Sequence, residues 1–182
     1  MVKLVEQDFK EAASVIGCEV ATIKAVVDVE SAGSGFDSKG RPKILFEGHY
    51  FYRLTNGKYG ESDISYPKWV KTYYKFDQYD RLDRAAKLDR EAALRSTSWG
   101  LFQIMGNNFS KCGFSKLQDF INAMYKSEKT QLLAFCNFVK SAGLDDELVR
   151  KDWVGFAYGY NGKGYLSNNY HKKLEVAYNK YK

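Results

Sequence analysis

Proline is scarce in this chain, with two residues in 182, Pro42 and Pro67, and cysteine is nearly as rare. Cys18, Cys112 and Cys136 are odd in number and widely spaced, no C-x-x-C occurs, and the two histidines, His49 and His171, lie far apart. A zinc site needs clustered ligands at short spacings, so no metal is expected, and no cofactor. The thiols read as reduced and buried, in a chain made in a reducing cytoplasm. No apolar run approaches the ~18 consecutive residues of a membrane span, so stable membrane insertion is not expected. The opening Met1-Val2-Lys3-Leu4-Val5-Glu6 has no apolar stretch of signal-peptide length, so synthesis in a cytoplasm without a signal peptide is expected. Long like-charge runs, internal repeats, low-complexity tracts and linkers are all missing.

What is present is an ordinary globular balance, 45% apolar and 27% charged, at a length that suits one domain with a sizeable core. Lys and Arg outnumber Asp and Glu by 28 to 22, a net charge of +6. That bias draws a protein toward polyanions, although scattered lysines also make a plain solvated surface. No helix-turn-helix, RRM or basic-helix signature occurs, so nucleic acid is not an expected partner. Aromatics reach 16%, which suits either a core or a surface that stacks on flat ligands.

Helical periodicity dominates. Phe9, Ala12, Ala13 and Ile16 mark a first helix stopped by Gly17. Val20, Ile23, Val26 and Val27 mark a second that ends at Ser31-Ala32-Gly33. Residues 35 to 46 are turn-rich and then apolar, the pattern of a small β-hairpin. Residues 48 to 54 predict a short helix and 55 to 67 a polar loop. Leu82, Ala85, Ala86, Ala92 and Ala93 predict one long helix. Further helices follow on Leu117 to Met124, on Leu132 to Val139 with Gly143 as cap, on 152 to 160, and on Tyr170 to Tyr181. The expected class is α+β, mainly α.

Glu30 is where chemistry first shows. At ~100° per residue with Val26 at zero, Glu30 falls near ~40°, inside the apolar arc of Ile23 and Val27, whereas Asp28 falls near ~200°. Burial raises a carboxyl pKa, and the negative end of the helix dipole acts in the same direction. An acid still protonated near neutral pH can donate to a leaving oxygen; otherwise Glu30 reaches water past a frayed helix end. General-acid cleavage of a glycosidic bond commonly uses a second carboxylate, and Asp37 and Glu47 flank the hairpin. Asp37 suits a turn by its own side-chain hydrogen bonds. Glu47 is open between a site role and a salt bridge to Arg41 or Lys43.

Two further segments carry candidates. In Ser96-Thr97-Ser98-Trp99-Gly100-Leu101-Phe102-Gln103-Ile104-Met105-Gly106, hydroxyls suited to helix capping precede a run that is apolar on nearly every face, with Gln103 its one amide. A buried amide needs partners, which a sugar or other protein groups could supply. Gly100 permits a close backbone approach. In Tyr158-Gly159-Tyr160-Asn161-Gly162, a Tyr hydroxyl could tune a carboxyl, and Asn-Gly is also a turn signal. Asp89, on the alanine face of its helix, reads as a buried salt bridge.

Glu30-Ser31, then Gly100-Leu101-Phe102-Gln103-Ile104-Met105, then Tyr160-Asn161-Gly162 resemble the three signatures of lysozyme-like soluble lytic transglycosylases and goose-type lysozymes. More closely, Val29-Glu30-Ser31-Ala32-Gly33-Ser34-Gly35-Phe36, Arg41-Pro42-Lys43-Ile44-Leu45-Phe46-Glu47, Ser98 to Gly106 and Gly159-Tyr160-Asn161-Gly162 resemble the N-acetylmuramidase family of phage and prophage endolysins, in register over nearly the whole chain. The resemblance implies a lysozyme-like fold over residues 1 to 182, a single catalytic domain with no separate cell-wall-binding domain. It implies a glycoside hydrolase that cuts the β-1,4 bond between N-acetylmuramic acid and N-acetylglucosamine in peptidoglycan. Glu30 would be the general acid and Glu47 a second carboxylate. Ser98, Gly100, Gln103, Tyr160 and Asn161 would line the saccharide cleft, with Tyr160 bonding Glu30 or a sugar. The alternatives are a lytic transglycosylase giving 1,6-anhydro products, and a non-catalytic peptidoglycan-binding module. A monomer is the default expectation. Such a lysin would reach the wall or periplasm after release through a holin or another export route.

Overall fold

The computed structural model describes residues 3–31 and 33–182. Met1 and Val2 of the opening, and Ala32 of the second helix stop and the Glu-Ser motif, lie outside the described residues. Among the described residues there are ten α-helices and one three-stranded sheet, and no helix is long and apolar enough to cross a membrane.

Helices α1 (Glu6–Ile16) and α2 (Val20–Glu30) form where the 3.6-residue pattern predicts them. Gly17 ends α1 in the left-handed region at φ 85°, where its N–H bonds Ala13 O, and a residue with a Cβ would be strained. The buried stripe Ala12, Ala13, Ile16, Ile23 and Val26 packs against Leu132, Phe135 and Val139 of α7 (Glu128–Ser141). Helix α9 (Trp153–Asn161) adds Phe156 and Ala157, and α10 (Tyr170–Tyr181) adds Leu174 and lies along α2. Helices α3 (Gly48–Leu54) and α6 (Leu117–Lys126) complete the expected set. The six-residue α8 (Asp145–Arg150) is too short for periodicity to reveal.

Three expectations change. The long alanine-rich helix is two, α4 (Gln78–Leu88) and α5 (Arg90–Arg95), because Asp89 adopts an extended φ of −152° between them. Its carboxylate accepts from Ala92 N at 2.9 Å, so Asp89 is an N-cap and not a member of a buried salt bridge. The segment 35 to 46 closes as a minimal hairpin, Phe36 bridging Pro42 with Asp37 N bonded to Arg41 O and Lys43 N to Gly35 O, and its apolar end does not extend that pairing. Its strand β1 (Ile44–Phe46) pairs instead with β2 (Thr97–Trp99), antiparallel, Ile44 opposite Trp99, and β2 pairs with β3 (Ile104–Met105). The hydroxyls of Ser96, Thr97 and Ser98 therefore do not cap a helix. They lie at and in a fully buried strand, which periodicity cannot tell from a buried helix. Gly100 at φ 70° and Gln103 at φ 50° turn the chain from β2 into β3.

The buried Arg81 side chain joins these layers. It donates to the carbonyls of Phe46, Asp63 and Tyr73 and to Gln78 Oε1. It thereby ties the end of β1 to the loop before α4. Asp89→Ala should remove the α5 cap and cost about 1 kcal/mol. In a chain of this size that is a fall of roughly 2–4 °C in melting temperature, measurable by calorimetry.

Candidate active site

Glu30 is the last residue of α2, and its side chain is half-buried. Burial holds its carboxyl above the usual glutamate range, while a hydrogen bond from Asn161 and the charge of Lys173 on α10 pull it partly back. Asn161 closes α9 and donates from Nδ2 to Glu30 Oε1 at 3.1 Å. That bond comes from Asn161, whereas the sequence reading offered Tyr160 for it. Tyr160 is a wall residue. Its ring stacks 5.7 Å from Phe156 and stands edge-on 5.5 Å from Phe135. Burial pushes its hydroxyl well above the ordinary tyrosine range, and the nearby charge of Glu30 adds to this. Phe102 in turn stacks on Phe135 at 4.1 Å. Glu30, the turn after β2 and the end of α9 thus meet on one aromatic wall.

The turn is tightly bonded. Gln103 Nε2 donates to Gly100 O at 2.8 Å and to Lys43 O at 3.2 Å, and Gly100 N donates to Lys43 O at 2.8 Å. The Gln103 amide nitrogen is therefore satisfied by backbone, and it holds the residues before β1 against the turn. Gln103 also lines a cavity of ≈ 410 Å³ with Lys43, Ile44, Leu45, Arg41 and Tyr79. Ser98 is buried in β2 with its Oγ 3.1 Å from Met105 Sδ, so its hydroxyl is engaged inside the sheet.

Glu47 follows β1 directly and precedes α3. Its side chain is 13% exposed, its Oε2 accepts the Tyr74 hydroxyl at 2.7 Å, and His49 Nδ1 lies 3.4 Å away. Burial lowers the His49 pKa, against the pull of Glu47 in the other direction, and Arg53 lowers it further. Arg41, one of the two cations that could have paired with Glu47, is engaged by Asp37 at 2.9 Å. Asp37 accepts from the Lys39 and Arg41 backbone as well, the turn role expected for it. Among the described residues no group of three His, Cys, Asp or Glu is arranged to hold a metal. Burial pushes the Cys112 and Cys136 thiols up to about 12, so neither is a nucleophile.

Sequence reasoning missed the residues that gather these loops. Gln131 is 1% exposed; it accepts from Leu101 N at 2.7 Å and donates to Met124 O at 2.7 Å. A Cβ on Gly35 would fall 2.0 Å from Gln131 Oε1, and one on Gly100 2.7 Å from its Cδ. Both glycines are therefore required by a single amide. The buried Glu128, one helical turn earlier, accepts from Gly35 N at 2.8 Å. A signal was available, since Gln131 stands four residues before Phe135 on the apolar face of α7.

A family model of N-acetylmuramidases matches residues 19–182. The chain belongs to the N-acetylmuramidase family. The crystal structure of the Burkholderia AP3 phage endolysin is similar to it at 38% identity and a TM-score of 0.90, over 98% of this chain and 71% of that one. No curated protein matches it. The chain is thus a peptidoglycan-degrading muramidase with a lysozyme-like fold. Gln131→Ala in this muramidase should leave Leu101 N and Met124 O unpaired beside a new void. The expected loss is about 3 kcal/mol in chemical denaturation.

Proposed function

We propose that this muramidase cleaves the β-1,4 bond between N-acetylmuramic acid and N-acetylglucosamine, with Glu30 as general acid. The observation that carries the reading is the half-buried carboxyl at the end of α2, raised by burial and oriented by a single amide from Asn161. Burial favours the protonated form and the amide orients the carboxyl, the two requirements for donation to a leaving oxygen. The bond between C1 and the bridging oxygen breaks, the oxygen takes the Glu30 proton, and an oxocarbenium-like sugar remains.

Glu47 fits the second role. It differs from Glu30 in that a tyrosine hydroxyl donates to its Oε2 at 2.7 Å, which fixes the carboxyl where it can accept a proton from water. Water attack aided by Glu47 gives hydrolysis; closure of the sugar on itself gives the 1,6-anhydro product. The presence of a held carboxylate at Glu47 favours hydrolysis. Gln103, Gly100 and the Tyr160–Asn161 corner form the saccharide-facing walls in this reading, and Ser98 supports β2 from within. We propose that the enzyme acts as a monomer on the wall or periplasmic face, after release through a holin or comparable route, and that residues 1 to 182 form one catalytic domain.

Glu30→Gln keeps shape and removes the proton, and should reduce release of soluble fragments from purified walls by at least roughly 10²-fold with the fold retained. Near-normal release would refute the acid. Mass spectrometry of the fragments separates the outcomes: reducing muramic ends mean hydrolysis, and anhydro ends mean transglycosylation.

The pH dependence has a definite sign. Glu30 must be protonated, so activity falls as pH rises through its elevated pKa. Asn161→Ala removes a contact that lowers that pKa, and should move the alkaline limb of the activity profile to higher pH. An unmoved limb would show that another group sets it. The same shift disfavours folding as pH rises, because the folded state holds the proton more tightly. Glu30→Gln should therefore melt no lower than the parent at alkaline pH.

A further inference from the structure

The segment from Pro67 to Phe76 serves no part of the reading above except through Tyr74. It is rich in both aromatic and basic residues, Pro67-Lys68-Trp69-Val70-Lys71-Thr72-Tyr73-Tyr74-Lys75-Phe76. Trp99 is 1% exposed in the core, but Trp69 is 56% exposed. Leaving most of an indole in water sacrifices one of the largest burial energies available to a side chain, which marks the position as a surface that something else covers.

Trp69 is not on a loose tip. Its ring packs at 69° on Tyr74, centroids 5.6 Å apart, and the Tyr74 hydroxyl donates to Glu47 at 2.7 Å. The backbone behind it is pinned: Tyr73 O accepts from Arg81 Nη1 at 3.2 Å and from Gln78 Nε2 at 3.1 Å, and Phe76 O accepts from Gln78 Nε2 at 2.8 Å. Arg81 also holds Phe46 O, the residue before Glu47. One buried guanidinium therefore fixes the platform and the carboxylate relative to each other. Lys68, Lys71 and Lys75 are exposed around it.

We infer that Trp69 is a stacking platform for one N-acetylated hexosamine of the glycan strand, on the Glu47 side of the cleft, with the three lysines facing the carboxylates of the attached peptides. The inference rests on the reading of Glu47 as part of the glycan site. An aromatic face matches the C–H face of a pyranose in size, and its rigid support means that little ordering entropy is lost on binding. The charge around it complements an acidic, peptide-bearing polymer. Continuity with Glu47 through Tyr74 favours the glycan over a second copy of the chain as occupant.

The test is titration of a β-1,4-linked N-acetylglucosamine pentamer into the Glu30→Gln chain, followed by tryptophan fluorescence. A blue shift of the emission is expected, since Trp69 is the most exposed of the three indoles. Trp69→Ala should abolish the shift and weaken affinity roughly tenfold by calorimetry, and Trp69→Phe should recover most of the affinity without the shift. Unchanged affinity in Trp69→Ala overturns the platform. So does a concentration-dependent dimer that Trp69→Ala dissolves while pentamer affinity stays the same, because the occupant is then a second copy. The acid is judged separately by wall lysis. Lost lysis in Glu30→Gln with unchanged pentamer affinity in Trp69→Ala sinks the platform alone. Retained lysis with weakened affinity sinks the acid and leaves the platform standing.

Discussion

The Gln131 side chain holds the loops of this muramidase together. Its amide satisfies Leu101 N–H and Met124 C=O inside the core, and the backbones at Gly35 and Gly100 close on it to distances at which no Cβ would fit. A buried amide with both ends bonded is rigid, and one left half-bonded is costly, so the arrangement is specified at that point or lost. Glu128, a turn earlier on α7, fixes Gly35 from the other side. The loop after Glu30 and the turn before Gln103 are both referred to one helix, and that helix also supplies Phe135 to the aromatic wall beside Tyr160. The cleft geometry thus depends on α7, which contributes no residue that the proposed chemistry consumes.

Within that frame the two carboxylates of the proposed site are treated oppositely. Glu30 ends an apolar helix beside aromatic rings, with one neutral amide for a partner, and burial favours its acid form. Glu47 sits where polar groups converge: a tyrosine hydroxyl on Oε2, an imidazole at 3.4 Å, and the Arg81 guanidinium on the preceding carbonyl. One acid is set in a desolvated pocket and the other among polar donors, so the two differ in surroundings rather than in residue type. Burial dominates at Glu30, where the Lys173 charge opposes it, and polar contacts with Tyr74 and His49 dominate at Glu47.

How much of this could be read from the residues depends on the range of the interactions involved. The helices carrying Ala12 to Ile16, Leu117 to Met124 and Leu132 to Val139 were legible because one face alone meets the core, which leaves a periodic trace. Glu30 was legible for the same reason, since it interrupts an apolar arc. Asp89 was misread because a cap and a buried charge look alike until φ is known. The strand at Thr97 to Trp99 was misread because burial on both faces erases the alternation that marks a strand. The partner of Glu30 was placed one residue away from Asn161, a distance that rotates a helical side chain by ~100°. Tyr74 and Arg81 act across long separations in sequence and no local pattern announces them, whereas Gln131 is marked only by its place on the apolar face of α7. Trp69 lies in irregular chain just before a five-residue 3₁₀ turn at Lys71–Lys75, outside the reach of periodicity altogether.

That last segment bears on how a wall enzyme uses positive charge. A net +6 spread evenly would attract an anionic wall at long range and hold it in no particular orientation. Charge screens within about 10 Å at 0.1 M salt, so attraction alone weakens at that ionic strength. An indole does not screen. Where lysines surround an aromatic face that is rigidly tied to a carboxylate, the charge collects the polymer and the ring sets its register. The flexible side chains then need not be ordered, and the binding energy is concentrated on the element whose position relative to Glu47 is already fixed. On this argument the aromatic richness of the chain and its basic charge are not independent features of composition. In the proposed reading they act together at the surface around Trp69, where an entering glycan strand is aligned before the proton transfer assigned to Glu30.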